Sequence, residues 1–245
     1  VTTAPVFLVE CLPEDDLTVL DGPEGRHAAT VRRLRAGEAL VLSDGHGGLA
    51  RCDVRGVERD SVSLRVLRRW TEPAPQPRVV LAQAIVKGDR GELAVELSTE
   101  AGVDEIVPWR AERCVAKWES GPRGEKALAR WRNTAREAAK QARRAWCPVV
   151  TEPADTAAVA QRVRNAAGAL VLHESATRPL VDFPLPASGD LLLVVGPEGG
   201  LTETEVATLC AAGAVAVRLG PTVLRASTAG AVALGALGPL TRRWE

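Results

Sequence analysis

The chain has 245 residues, 46% apolar and 25% charged, with a formal net charge of zero, which excludes wholesale disorder. No stretch approaches the roughly 20 apolar residues a membrane helix requires, and the opening VTTAPVFLVECLPEDD has no basic start of a secretory signal; a cytoplasmic protein without a membrane partner is expected. Five single cysteines (11, 52, 114, 147, 210) and three scattered histidines (27, 46, 173) argue against a disulfide framework and against a metal site.

In chain order, the first part carries short β-like runs at 6–9, 17–20, 39–48, 49–54 and 61–67, with one helix expected over Gly25 to Leu34. Short strands at that spacing predict a small barrel. In the last run Val62, Leu64 and Val66 share one face because side chains alternate along a strand. The segment TEPAPQPR (71–78) places three prolines in eight residues; proline stiffens an extended connector and forbids helix there, which predicts a boundary between domains 1–72 and 73–245.

Beyond it, apolar runs at 79–86, 103–107, 149–150, 169–172, 191–195 and 214–219 alternate with helical stretches. That alternation predicts an α/β domain with a mostly parallel sheet covered on both faces. A helix is expected near 125–145, its buried stripe formed by Leu128, Trp131, Ala135, Ala138 and Ala142 and stopped by Pro148. Lys126, Arg130, Lys140 and Arg144 fall on the opposite side at about 100° per residue.

Overall neutrality hides an uneven charge distribution. Residues 110–144 hold 11 basic and 4 acidic side chains, and Arg26, Arg32, Arg33 and Arg35 cluster with no acid among them. Two such patches suggest a polyanion on one face; solvated helix faces would read the same way.

Two constellations could carry chemistry. In LLLVVGPEGGLTETEV (191–206) an apolar strand runs into a glycine-rich turn, and Thr202 with Glu205 opens the next helix as a capping box. Ligands of open α/β sheets sit at that end of a strand, and glycine lets backbone approach them. Gly22-Pro23-Glu24-Gly25 repeats four letters of the motif outside the α/β half, so the strand–turn–helix context carries the signal. In VRLGPTVLRASTAGAVALGAL (217–237) a second Gly-Pro loop leads into a helix of small apolar residues, which must be buried in the core or at a subunit interface. Arg225, between loop and helix, is expected to hold a carboxylate, with Glu198 one candidate, or backbone carbonyls or a substrate.

The segments KGDRGELAVELSTEAGVDEIVPWRAERCVAKW (87–118), RWRNTAREAAKQARRAWCP (130–148), GPEGGLTETE (196–205) and LGPTVLRASTAG (219–230) together resemble the RsmE family of the SPOUT superfamily. Residues 27–45 resemble its PUA-like RNA-binding barrel. The resemblance implies methylation of uridine N3 in small-subunit (16S) ribosomal RNA, S-adenosyl-L-methionine as cofactor, a deep trefoil knot in the C-terminal domain and a homodimer formed through that domain. It places the cofactor against Leu172, His173, Gly196, Pro197, Glu198, Gly199, Gly200, Leu219, Gly220, Pro221, Leu224, Arg225 and Ala226. Arg225 and Glu198 are the catalytic candidates, and Arg26, His27, Arg32, Arg33, Gln141 and Arg144 the RNA-binding ones. With no Tyr and two Phe, base stacking falls to Trp, with 109, 118, 131 and 146 in or beside the basic stretch, though Trp131 points into the core by spacing. Where the family reads LRTETA this chain reads LRASTA (224–229), losing a carboxylate. A related enzyme acting on another RNA or position, or an RNA-binding homologue without activity, shares these motifs.

Overall fold

The structure, a computed structural model, describes residues 4–118 and 121–244; Glu119, counted in the basic stretch, lies outside them. Two units are compact in themselves: residues 1–74 with 139–147, and 75–138 with 148–245. The sequence suggests one boundary in the proline segment; the return of 139–147 to the first unit is a tertiary event with no local signal.

In the first unit, strands β1 (Val6–Leu8), β2 (Leu17–Leu20), β3 (Ala39–Ser43), β4 (Gly48–Val57) and β5 (Val62–Thr71) form one sheet in the order β1-β3-β4-β5-β2. All pairs are antiparallel except β1 with β3. Alternation sends Leu40, Leu42, Ala50, Cys52, Val54, Val62, Leu64 and Val66 into one core around Phe7 and Leu20. The expected helix at 25–34 is instead α1 (Gly22–Arg26) followed by a π-helical turn over His27–Val31. The GPEG repeat is its first turn: Pro23 supplies a preset φ there, and a Cβ on Gly25 would lie 2.4 Å from the Leu20 carbonyl oxygen.

The second unit is a six-stranded sheet, β11-β9-β10-β6-β7-β8, made of β6 (Arg78–Ala84), β7 (Glu105–Trp109), β8 (Val149–Val150), β9 (Gly168–Leu172), β10 (Asp190–Val195) and β11 (Val215–Val217). All its pairings are parallel, so every connection is a crossover; four of them carry an α-helix, and the one from β9 to β10 carries only a 3-10 turn at Leu180–Asp182. Alternate residues of the strands serve two cores. Leu81, Leu170, Leu191 and Leu193 meet α2 (Arg90–Glu100), α3 (Pro122–Gln141) and α6 (Ala226–Leu240) on one side. Val80, Val171, Leu192 and Val194 meet α4 (Thr156–Asn165) and α5 (Glu203–Ala211) on the other. Burial on both faces explains why β10 reads as an unbroken apolar run.

Helix α3 buries Leu128, Trp131, Ala135 and Ala138 as the spacing predicts, but it ends at Gln141, seven residues before Pro148. Arg143 takes φ +57°, and the amides of Arg143 and Arg144 donate to the carbonyls of Lys140 and Ala139. That left-handed cap, usually glycine, stops the helix. The basic face also departs from expectation. Lys140 is 9% exposed and paired with Glu24 at 2.8 Å, and Arg130 is paired with Glu92 at 3.1 Å. Among the described residues, no helix is long and apolar enough to cross a membrane.

Candidate active site

Strands β9, β10 and β11 end at the same edge of the sheet, and the loops after them define a cleft of about 660 Å³. Order matters here: β6 sends the chain outward to β7 and β8, whereas β10 leads across β9 to β11, a change of direction that opens a crevice at the carboxyl ends. Leu172 and His173 come from the first loop, Gly196, Pro197, Glu198, Gly199 and Gly200 from the second, and Leu224, Arg225 and Ala226 from the third. Leu219, Gly220 and Pro221 line an adjoining cavity of about 140 Å³ that shares Leu172, His173 and Leu224. All thirteen residues expected there are therefore in one region. Sequence reading missed Arg90, Arg113, Glu174 and Ser227, which also line the cleft; the basic stretch around 113 was the one available signal.

The glycine turn is held from outside. Gly200 sits at φ +71°, a conformation open to glycine at little cost. A Cβ on Gly196 would come within 2.7 Å of Leu201 Cδ2. Arg113 donates through Nη1 to the Gly199 carbonyl at 3.1 Å. The capping box forms as predicted, with Thr202 and Glu205 bonded reciprocally. Glu205 does more: 4% exposed, its carboxylate also accepts the Glu112 amide at 2.8 Å. One buried side chain thus ties the loop after β7 to the glycine turn.

Of the partners weighed for Arg225, the protein itself supplies none among the described residues. The side chain is exposed, and among the described residues its guanidinium has no hydrogen bond or ion pair, so the pairing with Glu198 is not made. Glu198 is likewise exposed and free of partners among the described residues. Arg225 is the N-cap of α6 but supplies no side-chain acceptor, which leaves the amides of Ala226 and Ser227 uncapped on residues that line the cleft. His173 accepts the Ser175 amide on Nδ1 at 3.2 Å, which puts the proton of a neutral imidazole on Nε2. The cleft thus combines apolar walls (Leu172, Val195, Leu201), carboxylates (Glu174, Glu198) and guanidinium groups (Arg90, Arg113, Arg225).

The RNA-binding candidates lie in the first unit. Arg26 is paired with Asp60 at 2.9 Å, and His27 packs edge-on against Phe7. Arg32, Arg33 and Gln141 are exposed, and Arg144 is half-buried. Trp109 and Trp131 are core residues at 0% and 2% exposure, so neither can stack on a base; Trp131 instead meets Trp118 edge to face. Among the described residues no cluster of three His, Cys, Asp or Glu is placed to hold a metal.

A parallel α/β sheet with glycine loops around a cleft at its carboxyl edge, in a chain that also carries a small β unit, defines a class. Residues 72–238 match the RNA methyltransferase domain family, and 20–67 match the RNA methyltransferase PUA domain. The chain is 56% identical to the ribosomal RNA small subunit methyltransferase E of Mycobacterium bovis, over 99% of this chain and 94% of that one. Against the protein of that name from Bacillus subtilis it is 32% identical, over 89% and 88%. The crystal structure of the Neisseria gonorrhoeae ribosomal RNA small subunit methyltransferase E bound to S-adenosyl methionine superposes with a TM-score of 0.84, at 28% identity and 98% coverage of each chain. The chain belongs to the ribosomal RNA small subunit methyltransferase E family.

Proposed function

We propose that this protein transfers a methyl group from S-adenosylmethionine to N3 of a uridine in small-subunit ribosomal RNA. The observation that carries this reading is the cleft lined by Glu198 from the glycine turn and Arg225 from the loop before α6, both without a hydrogen-bonded or ion-paired protein partner among the described residues. Its volume of about 660 Å³ suits a cofactor of nucleoside size. Apolar walls suit the adenine. Opposite charges lining one cleft suit a ligand that carries an ammonium, a carboxylate and a sulfonium.

When bound, the cofactor supplies an activated methyl group. The chain's residues do the rest. Leu172, Gly196 to Gly200 and Leu224 hold the nucleoside by shape and backbone groups. Arg225 stabilises the negative charge that develops on the uracil carbonyls as N3 loses its proton. Glu198 accepts that proton as the N3–methyl bond forms. N3 lies on the pairing edge, so the base must enter unpaired or flipped out. Arg26, His27, Arg32, Arg33, Gln141 and Arg144 hold the RNA, mostly through phosphates. Ser227 stands where the family carries a carboxylate, and in this reading Glu198, on the glycine turn, takes the part of the base. A homodimer fits α6: Ala229, Ala233, Leu234 and Leu237 are buried, while Val232 and Leu240 remain 46% and 47% exposed. The trefoil path of the family belongs to the same reading.

The test is incubation of the full chain with methyl-labelled S-adenosylmethionine and small-subunit RNA, free or assembled, followed by nucleoside digestion. Label in 3-methyluridine is expected. Failure to bind the cofactor overturns the reading. Label in transfer RNA alone would favour a related enzyme with another substrate, and cofactor binding without transfer to any RNA an inactive homologue.

A further inference from the structure

The outer face of the first unit's sheet does not look like a solvated face. Leu40, Leu42, Ala50 and Cys52 point to the core, so Ala39, Val41, Leu49 and Arg51 alternate to the other side. A sheet with one buried face normally presents polar side chains there. Here Val6, Val41 and Leu49 instead floor a second cleft of about 630 Å³, entirely within this unit. Leu49 is 4% exposed although it lies outside the core cluster. Trp70, which pairs with Leu49 in register, forms part of the wall, and Arg32, Arg51 and Arg143 line it with Glu38 and Glu72.

Two details set this apart from a random surface dip. The Trp70 indole is oriented on both counts available to it: Nε1 donates to Glu72 at 3.3 Å, and the Arg68 guanidinium lies 5.6 Å from the ring centroid. Arg143 occupies a left-handed position, φ +57°, where glycine is the usual residue and a side chain is strained. A local rule broken in this way, with the side chain lining a cleft, is the mark of a functional position. The segment that carries it is tied to the sheet: Cys147 and Gly47 amides donate to the Gly45 and Ala145 carbonyls at 2.9 Å each, and Trp146 Nε1 donates to the Glu72 carbonyl.

We propose that this cleft is a nucleobase subsite, in which Trp70 stacks an unpaired base of the RNA while Arg51 and Arg143 hold the flanking phosphates. Stacking on an aromatic ring beside arginines is how single strands are held without sequence readout. The carboxylates of Glu38 and Glu72 accept bonds from base amino groups. The subsite rests on the reading of this protein as an RNA-modifying enzyme and deepens it.

The experiment uses the full chain and a fluorescein-labelled single-stranded oligonucleotide of small-subunit RNA sequence. Anisotropy is measured over a range of salt, with thermal unfolding and S-adenosylmethionine affinity as controls of folding. Trp70→Ala is expected to weaken RNA binding about tenfold or more, and Trp70→Phe to keep most of it. Arg143→Gly relieves the left-handed strain, so it is expected to unfold no earlier than wild type while binding RNA more weakly. Its salt slope should be shallower by roughly 0.7, the loss of one phosphate contact. An oligonucleotide with 2-aminopurine should be quenched by wild type and not by Trp70→Ala. If Trp70→Ala does not fold, Arg143→Gly decides. Unchanged RNA affinity in the variants, as for a cleft that takes a protein segment, overturns the subsite and leaves the enzyme reading standing. Failure of wild type to bind any RNA overturns the enzyme reading itself.

Discussion

Arg225 and Glu198 face the same cleft without touching each other or any other charged group among the described residues. An exposed guanidinium that no protein group among the described residues holds is available to a substrate, which makes Arg225 a better catalytic candidate than a buried, paired arginine. Arg225→Ala is expected to leave S-adenosylmethionine affinity within a small factor while turnover falls about 100-fold or more, the usual consequence of removing one charge-stabilising donor. Equal turnover would end its assigned role. The cysteines divide in the same residue-by-residue way. Burial pushes the Cys52 thiol up to about 11 and raises Cys114 as well, whereas Cys11 and Cys210 are exposed. Because the thiolate is the nucleophile, iodoacetamide at pH 8 should label Cys11 and Cys210 in the native protein. Labelling of Cys52 and Cys114 should need denaturant, as read by peptide mass mapping.

At the scale of elements, β10 and Glu205 do different work. Leu193 is fully buried in the central strand, so Leu193→Ala should cost about 2–5 kcal/mol in denaturant unfolding through lost burial and the cavity left behind. Glu205 acts on two loops: its loss leaves the Glu112 and Thr202 amides without their acceptor. Glu205→Ala is expected to cost about 1–3 kcal/mol for those orphaned donors and to loosen the glycine turn. The diagnostic readout is weaker S-adenosylmethionine binding by calorimetry, beyond what Leu193→Ala produces. Comparable cofactor affinity in the two variants would reduce Glu205 to a structural cap.

At the scale of the molecule, α6 joins stability to assembly. Its core face packs on the sheet, while Val232 and Leu240, about two turns apart, are exposed on the same side. A second copy covering that side is expected to appear as a dimer in sedimentation equilibrium, and Val232→Asp should shift it to monomer without loss of secondary structure. A wild-type protein that stays monomeric at all concentrations would rule out that interface.

Local sequence was enough wherever the physics is local. The alternating runs, the apolar strand 191–195, the Thr202–Glu205 cap and the buried stripe of α3 all follow from periodicity and from side chains within four residues of one another. The two Gly-Pro loops were legible for the same reason, since each follows a strand that had to be buried. Partnerships across the chain were not legible. Whether Lys140 faced water or Glu24, whether Arg225 was paired, where α3 ended and which unit residues 139–147 joined each depend on groups distant in sequence. Arg143 shows the limit most clearly: no propensity places an arginine at a left-handed cap, and only the tertiary structure, by seating it beside Trp70 and Arg51, gives that position a reason.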